Sequence, residues 1–176
     1  NIYAYFTDQK IWPRGFPLEH ILSKNKKSTK KYFVDINQIS ITQFLADGDS
    51  DVDAIYRLVS NEFVNFKRDT NIVIKRNSYC PFNSQNTLWY KGSFPLMYIP
   101  SFVSFRMCDI WRSFIALRCI HELNSKIIFS SPTLYQERNY HNLSKDFLDE
   151  IDLYNKKYCE VLSPRRDGES ATGLTP

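Results

Sequence analysis

The sequence predicts an α/β domain, a mixed sheet flanked by helices. Several short runs rich in β-branched and aromatic residues are cut by Pro and Gly, and one stretch, Asp109 to Leu123, repeats apolar residues every three or four positions. The chain has 176 residues and 43% hydrophobic content, enough for one domain with a real core.

Taken in order, Asn1 to Phe6 alternates as a short strand does. Trp12-Pro-Arg-Gly-Phe-Pro17 must be a loop, because two prolines and a glycine stop either ladder. Leu18 to Leu22 adds a helical turn, and Lys24 to Lys31 reads as a solvated excursion. Tyr32 to Ile36 and Ile39 to Leu45 are predicted strands, followed by an acidic loop. A short helix begins near Asp53, with Asp51 or Asp53 at its N-cap and Ile55, Leu58 and Val59 at helical spacing. Asn71 to Lys75 is an edge strand, and Thr87 to Tyr90 and Met97 to Ile99 are two more. After the Asp109–Leu123 helix come a strand over Ile127 to Phe129 and a second helix over Leu143 to Tyr158. Residues 1–158 thus form the domain, and 159–176, poor in apolar residues, a flexible tail.

The net charge of +4 is modest, and its basic residues concentrate in one Lys-rich loop. Nucleic-acid binding calls for a broader basic surface with stacking aromatics, so no nucleic-acid partner is expected. No run of about twenty apolar residues is long enough for a bilayer, and no signal peptide opens the chain. It opens on Asn1 rather than Met, which leads us to expect a longer parent protein. Cys80, Cys108, Cys119 and Cys159 lack the paired spacing of a zinc ribbon, and are read as disulfides or as buried thiols. Asn142-Leu-Ser144 is a glycosylation sequon.

Four places carry chemistry. Asp47, Asp49, Asp51 and Asp53 alternate around Gly48, and such carboxylates can converge on a divalent cation; the same residues serve equally well in turns and helix caps. Asp109 stands at a helix start between Arg106 and Arg112, where it either caps the helix or accepts a proton from an acceptor hydroxyl while arginine balances phosphate charge. Asn83, Gln85 and Asn86 offer donors and acceptors suited to sugar hydroxyls, with Trp89 or Tyr90 as an apolar face for the ring. Arg138, Asn139 and His141 add an arginine, an amide and a histidine, the last a metal ligand or a structural residue.

Five segments, Trp12 to Leu18, Ala46 to Ile55, Phe82 to Thr87, Asp109 to Arg112 and Arg138 to Asn142, stand in the same order as signatures of the STELLO family of glycosyltransferase-like proteins, which this chain resembles. More distantly it is similar to the reversibly glycosylated polypeptides that act as UDP-arabinopyranose mutases. The resemblance implies a GT-A-like nucleotide-sugar-binding fold, of which this chain is the acceptor-side portion, in the Golgi lumen of a membrane-anchored parent. It implies a nucleotide-sugar donor, a glycan or protein acceptor and a divalent metal, manganese. Asp109 would be the base; Arg14, Arg112 and Arg138 would meet phosphate or sugar oxygens; Asn83, Gln85, Asn86, Trp89 and Asn139 would meet the sugar. Asp47, Asp49, Asp51, Asp53 and His141 are the metal candidates. In the mutases an acidic triplet precedes the segment matching Arg14 to Pro17, whereas here only Asp8 precedes Trp12. Either that half of the site lies upstream, or the Asp47–Asp53 loop takes its role, or the domain is a non-catalytic binding or assembly module.

Overall fold

The computed structural model describes residues 1–22, 30–31, 33–60, 62–76 and 78–154. The expected tail over 159–176, with Cys159, lies outside them, as does most of the Lys-rich excursion. The architecture is α/β, built on a four-stranded mixed sheet in the order β2-β4-β1-β3.

The two central strands, β1 (Ile39–Gly48) and β4 (Lys126–Gln136), run parallel. Two short strands close the edges antiparallel: β2 (Asn71–Val73) on β4 and β3 (Thr87–Trp89) on β1. A parallel pair needs a crossover, and here it comprises the helix α1 (Ala54–Val59), both edge strands and the long helix α2 (Cys108–Glu122). Ile41 and Leu45 of β1, Ile127 and Phe129 of β4, and Ala116, Leu117 and Ile120 of α2 share the main core with Tyr3, Phe6 and Ile11. The period of two in the strands meets the period of 3.6 in the helix, as the sequence pattern requires. A second cluster joins Met107, just ahead of α2, and Ile110 and Phe114 of α2 to Leu153, in the turn after α3 (Leu143–Glu150).

Both central strands outrun their expected lengths. β1 continues through Asp47 to Gly48, where a φ of +80° turns the chain and where a Cβ would lie 2.7 Å from the Gln136 carbonyl oxygen. β4 passes Pro132, although a proline removes one ladder donor. The register explains it: β1 advances from Phe44 to Ala46 while β4 advances from Ser130 to Leu134, so Pro132 sits in a bulge.

Three expected strands are absent. Residues 1–6 hold a 3-10 turn over Tyr3–Tyr5, closed by the Phe6 and Thr7 amides on the Tyr3 carbonyl, because spacing of three lets Tyr3 and Phe6 bury on one side. Residues 33–35 are irregular and Asp35 caps a 3-10 turn over Ile36–Gln38, while Tyr32 lies outside the described residues. Met97 ends a 3-10 helix over Lys91–Met97, and Tyr98 and Ile99 are exposed without a ladder partner. The second long helix stops at Glu150 and tightens into a 3-10 turn over Ile151–Tyr154. No described helix is long and apolar enough to cross a membrane.

Candidate active site

Strand β1 ends in the acidic loop, α2 begins at Cys108, and the Trp12–Pro17 loop passes between them. Gly15 makes that passage possible: its φ is +80°, and a Cβ there would stand 2.6 Å from Cγ2 of Ile110. Only glycine brings Arg14 this close to the first turn of α2.

Arg14 is the centre of the site. Its Nε donates to both carboxylate oxygens of Asp51 at 3.1 and 3.2 Å, and its Nη2 donates to Asp51 Oδ2 and to Asp109 Oδ2, each at 3.0 Å. Its Nη1 donates to the Arg106 carbonyl. Two carboxylates around one guanidinium hold its proton more firmly than usual, reversing the effect of burial. Burial likewise pushes the Asp51 carboxyl up, but Arg14 and then Arg138 overcome it and hold the group at about 2. Arg138 reaches Asp51 Oδ1 through Nη2 at 3.1 Å, and its amide donates to Asp49 Oδ2 at 3.1 Å. Tyr3 donates its hydroxyl to the Asp51 carbonyl at 3.0 Å.

Asp109 lies inside the first turn of α2 and is 9% exposed; Met107, not Asp109, occupies the N-cap. The capping role is therefore not the one it plays, although a carboxylate in the first turn still suits the helix dipole. Its Oδ2 is held twice, by Arg14 and by the Ser84 amide at 3.1 Å, whereas its buried Oδ1 has no hydrogen-bond partner. One turn on, Arg112 lies buried with its charge 4.9 Å from the Trp89 ring centroid and its Nη2 donating to Ser84 Oγ at 2.9 Å. Its Nε also lacks a partner, and burial lowers its pKa.

Of the amide residues, Asn83 and Gln85 line a cavity with Arg14, Asp51, Gln43 and Ile110. Its volume is about 10 Å³, room for one water molecule and too little for a sugar ring. Asn83 Oδ1 accepts from the Gln85 amide at 2.9 Å and from Gln43 Nε2 of β1 at 3.3 Å, and Asn86 Nδ2 donates to the Leu45 carbonyl and to Thr133 Oγ1, so these two side chains brace β1. Asn139 and His141 are exposed, and His141 Nδ1 lies 3.4 Å from Asp146.

The four aspartates do not converge. Asp47 accepts from the Phe66 amide and from Arg68; Asp49 faces Arg138, with Arg57 3.9 Å away; Asp51 is enclosed by Arg14 and Arg138; Asp53 caps α1 on the Ile55 amide. Among the described residues no three His, Cys, Asp or Glu side chains are placed to hold a metal ion. A donor set already occupied by guanidinium groups and backbone amides does not fit a divalent cation. Alternation over a turning chain sends successive carboxylates to different neighbours.

Sequence reasoning missed Ser84, Arg57 and Glu150. Glu150 is 0% exposed and accepts from the Ala54 amide at 3.0 Å, from Tyr154 Oη at 3.0 Å and from Arg106 Nε at 2.8 Å. It ties the start of α1 to Arg106, two residues before α2. Its partner Ala54 is 96 residues away, a distance at which no local pattern gives a signal.

Two curated proteins of Arabidopsis thaliana are similar to this chain along most of its length. "Probable glycosyltransferase STELLO2" is 27% identical over 162 residues, 88% of this chain, and "Probable glycosyltransferase STELLO1" is 26% identical over the same extent. The chain is similar to these STELLO proteins. It spans about a fifth of the length of these relatives, the match covering 20% of each. No family model matches it. The STELLO-like match supports the resemblance carried by the five motifs, and the α/β sheet with flanking helices agrees with the class it implies.

Proposed function

We propose that this STELLO-like chain is the acceptor-side part of a glycosyltransferase domain that moves a sugar from a nucleotide-sugar donor to a hydroxyl of a glycan or protein. The observation that carries the reading is the asymmetry of Asp109, one oxygen anchored by Arg14 and Ser84 and the other buried without a partner. A buried unpaired acceptor is unfavourable unless a ligand completes it.

In this reading the acceptor hydroxyl donates to Asp109 Oδ1. As its oxygen bonds to the anomeric carbon, the bond from that carbon to the diphosphate breaks; Asp109 takes the proton and the nucleoside diphosphate leaves with the electron pair. Arg112, one turn away and with its buried Nε unpartnered among the described residues, offers N–H groups to oxygen atoms that gain charge. The names of the relatives and the five motifs support a sugar-nucleotide ligand. The four aspartates are committed elsewhere, so a divalent ion such as manganese, if the reaction uses one, would be held by other residues. The Golgi lumen is the compartment we assign to the parent protein on the same resemblance.

A second reading is a non-catalytic binding or assembly module on the same fold. It is favoured by one observation, the small cavity of about 10 Å³ beside Arg14.

Calorimetric and thermal-shift titration of the full-length luminal domain with UDP- and GDP-sugars, with and without manganese, separates the two, since a ligand that binds the folded state raises its apparent stability. Binding of one donor, with transfer lost and binding kept in Asp109→Asn, supports the transferase. Silence across the panel with folded protein, or transfer that survives Asp109→Asn, overturns it.

A further inference from the structure

We infer that Asn142 is an N-glycosylation site and that the first sugar of its glycan rests on the ring of Tyr140. This inference rests on the luminal compartment assigned above and not on transfer activity. Asn142-Leu143-Ser144 is the one Asn-x-Ser/Thr sequon in the sequence, and its three residues lie on the surface at the start of α3.

The two ends of the Asn142 amide are divided between fold and solvent. Oδ1 accepts the Lys145 amide hydrogen at 3.0 Å and so caps α3. The cap uses only this oxygen, so a sugar on Nδ2 leaves it in place. Ser144, the hydroxyl the sequon requires, is in the first turn of the same helix and is also exposed.

Tyr140 supplies the second observation. Its ring is 99% exposed, two residues before Asn142, in a stretch without regular structure, and the Asn142 backbone itself is extended (φ −82°, ψ 99°). Two residues span at most about 7 Å of chain, which keeps the Tyr140 ring within reach of a sugar on Asn142. A large aromatic face held out in water beside a sequon matches the apolar C–H face of a hexosamine, which would remove it from solvent.

The reaction needs a lipid-linked pyrophosphoryl oligosaccharide as co-substrate. Asn142 Nδ2 bonds to C1 of its first sugar, the bond from C1 to the pyrophosphate oxygen breaks, the lipid pyrophosphate leaves with the electron pair, and Nδ2 gives one proton to the transferase.

The test is to secrete the full chain from eukaryotic cells and map its peptides after amidase removal of N-glycans in heavy-oxygen water. Asn142 should be converted to labelled aspartate, and both Asn142→Gln and Ser144→Ala should abolish the label. Ser144→Ala keeps the Asn142 cap, so loss of the label with a folded product isolates the modification from folding. Folded, secreted protein with unmodified Asn142 overturns the site. For the ring, Tyr140→Ala should lower the melting temperature of the glycosylated protein while leaving the enzymatically deglycosylated protein unchanged; equal shifts in both forms overturn the stacking.

Discussion

Asp53 shows how one residue can serve the fold and strain it at once. Its Oδ1 caps α1 by accepting the Ile55 amide at 2.8 Å, yet the residue is 0% exposed and Oδ2 has no hydrogen-bond partner. Burial, and then the nearby Glu150 charge, push its carboxyl up to about 6. The folded state therefore holds this proton at a higher pH than the unfolded chain does, so its contribution is most favourable in acid and is lost as pH rises through about 6. Asp53→Asn keeps a good cap and removes the charge. It should raise the melting temperature at pH 7.5, by up to about 3 kcal/mol in stability, and change little below pH 4. A pH-independent effect in a thermal-denaturation series would refute this account. Asp51 behaves oppositely, since Arg14 and Arg138 stabilise its charged form and that contribution fades only as pH falls toward about 2.

At the scale of elements, the Arg14 loop depends on one missing side chain. Gly15→Ala forces a Cβ into Ile110 of α2 and a non-glycine residue into a φ of +80°, each unfavourable by about 1–3 kcal/mol. Urea denaturation should show the combined loss. In any folded fraction the contact of Arg14 with Asp109 should break, to be read from the arginine side-chain NMR signals. The helix α3 depends on its cap in a milder way. Replacing Asn142 by Ala in unglycosylated protein leaves the Lys145 amide unsatisfied and should lower stability by about 1 kcal/mol, while Asn142→Asp should be nearly neutral.

For the whole molecule the buried Arg106–Glu150 pair is the clasp. It joins the segment just ahead of α2 to the end of α3, and through the Ala54 amide to α1, with Asp146 adding a contact to Arg106 at 3.3 Å. Removing one partner of such a pair leaves an uncompensated buried charge, typically unfavourable by about 3–5 kcal/mol. Arg106→Ala, which strands the fully buried Glu150 carboxylate, should accordingly destabilise the domain by that amount in chemical denaturation, and Arg106→Met with Glu150→Met should recover much of the loss. If the double substitution is as damaging as the single one, packing rather than charge is what the pair supplies. The Arg106 carbonyl also receives Arg14 Nη1, so this clasp is continuous with the candidate site.

Local pattern alone determined the helix from Asp109 onward, the short helix capped by Asp53, the edge character of Asn71–Val73 and the motif order that marks the chain as STELLO-like. These follow from interactions within a few residues, or from residue types that stand in one order. Arg14 and Asp109 were legible as candidate residues because both stand in those motifs, and the fold brings them together, whereas Ser84 and Glu150 were not, since each meets its partner only after the chain has folded back on itself. Tertiary structure alone decided that Asp51 would face arginines while Asp47 and Asp53 turned elsewhere, that β4 would run on past Pro132 through a bulge, and that the first residues would form a 3-10 turn. The reason is common to all of them: a carboxylate, a strand edge or a buried ring takes its final role from whichever partner packing brings within reach, and that partner lies far along the chain.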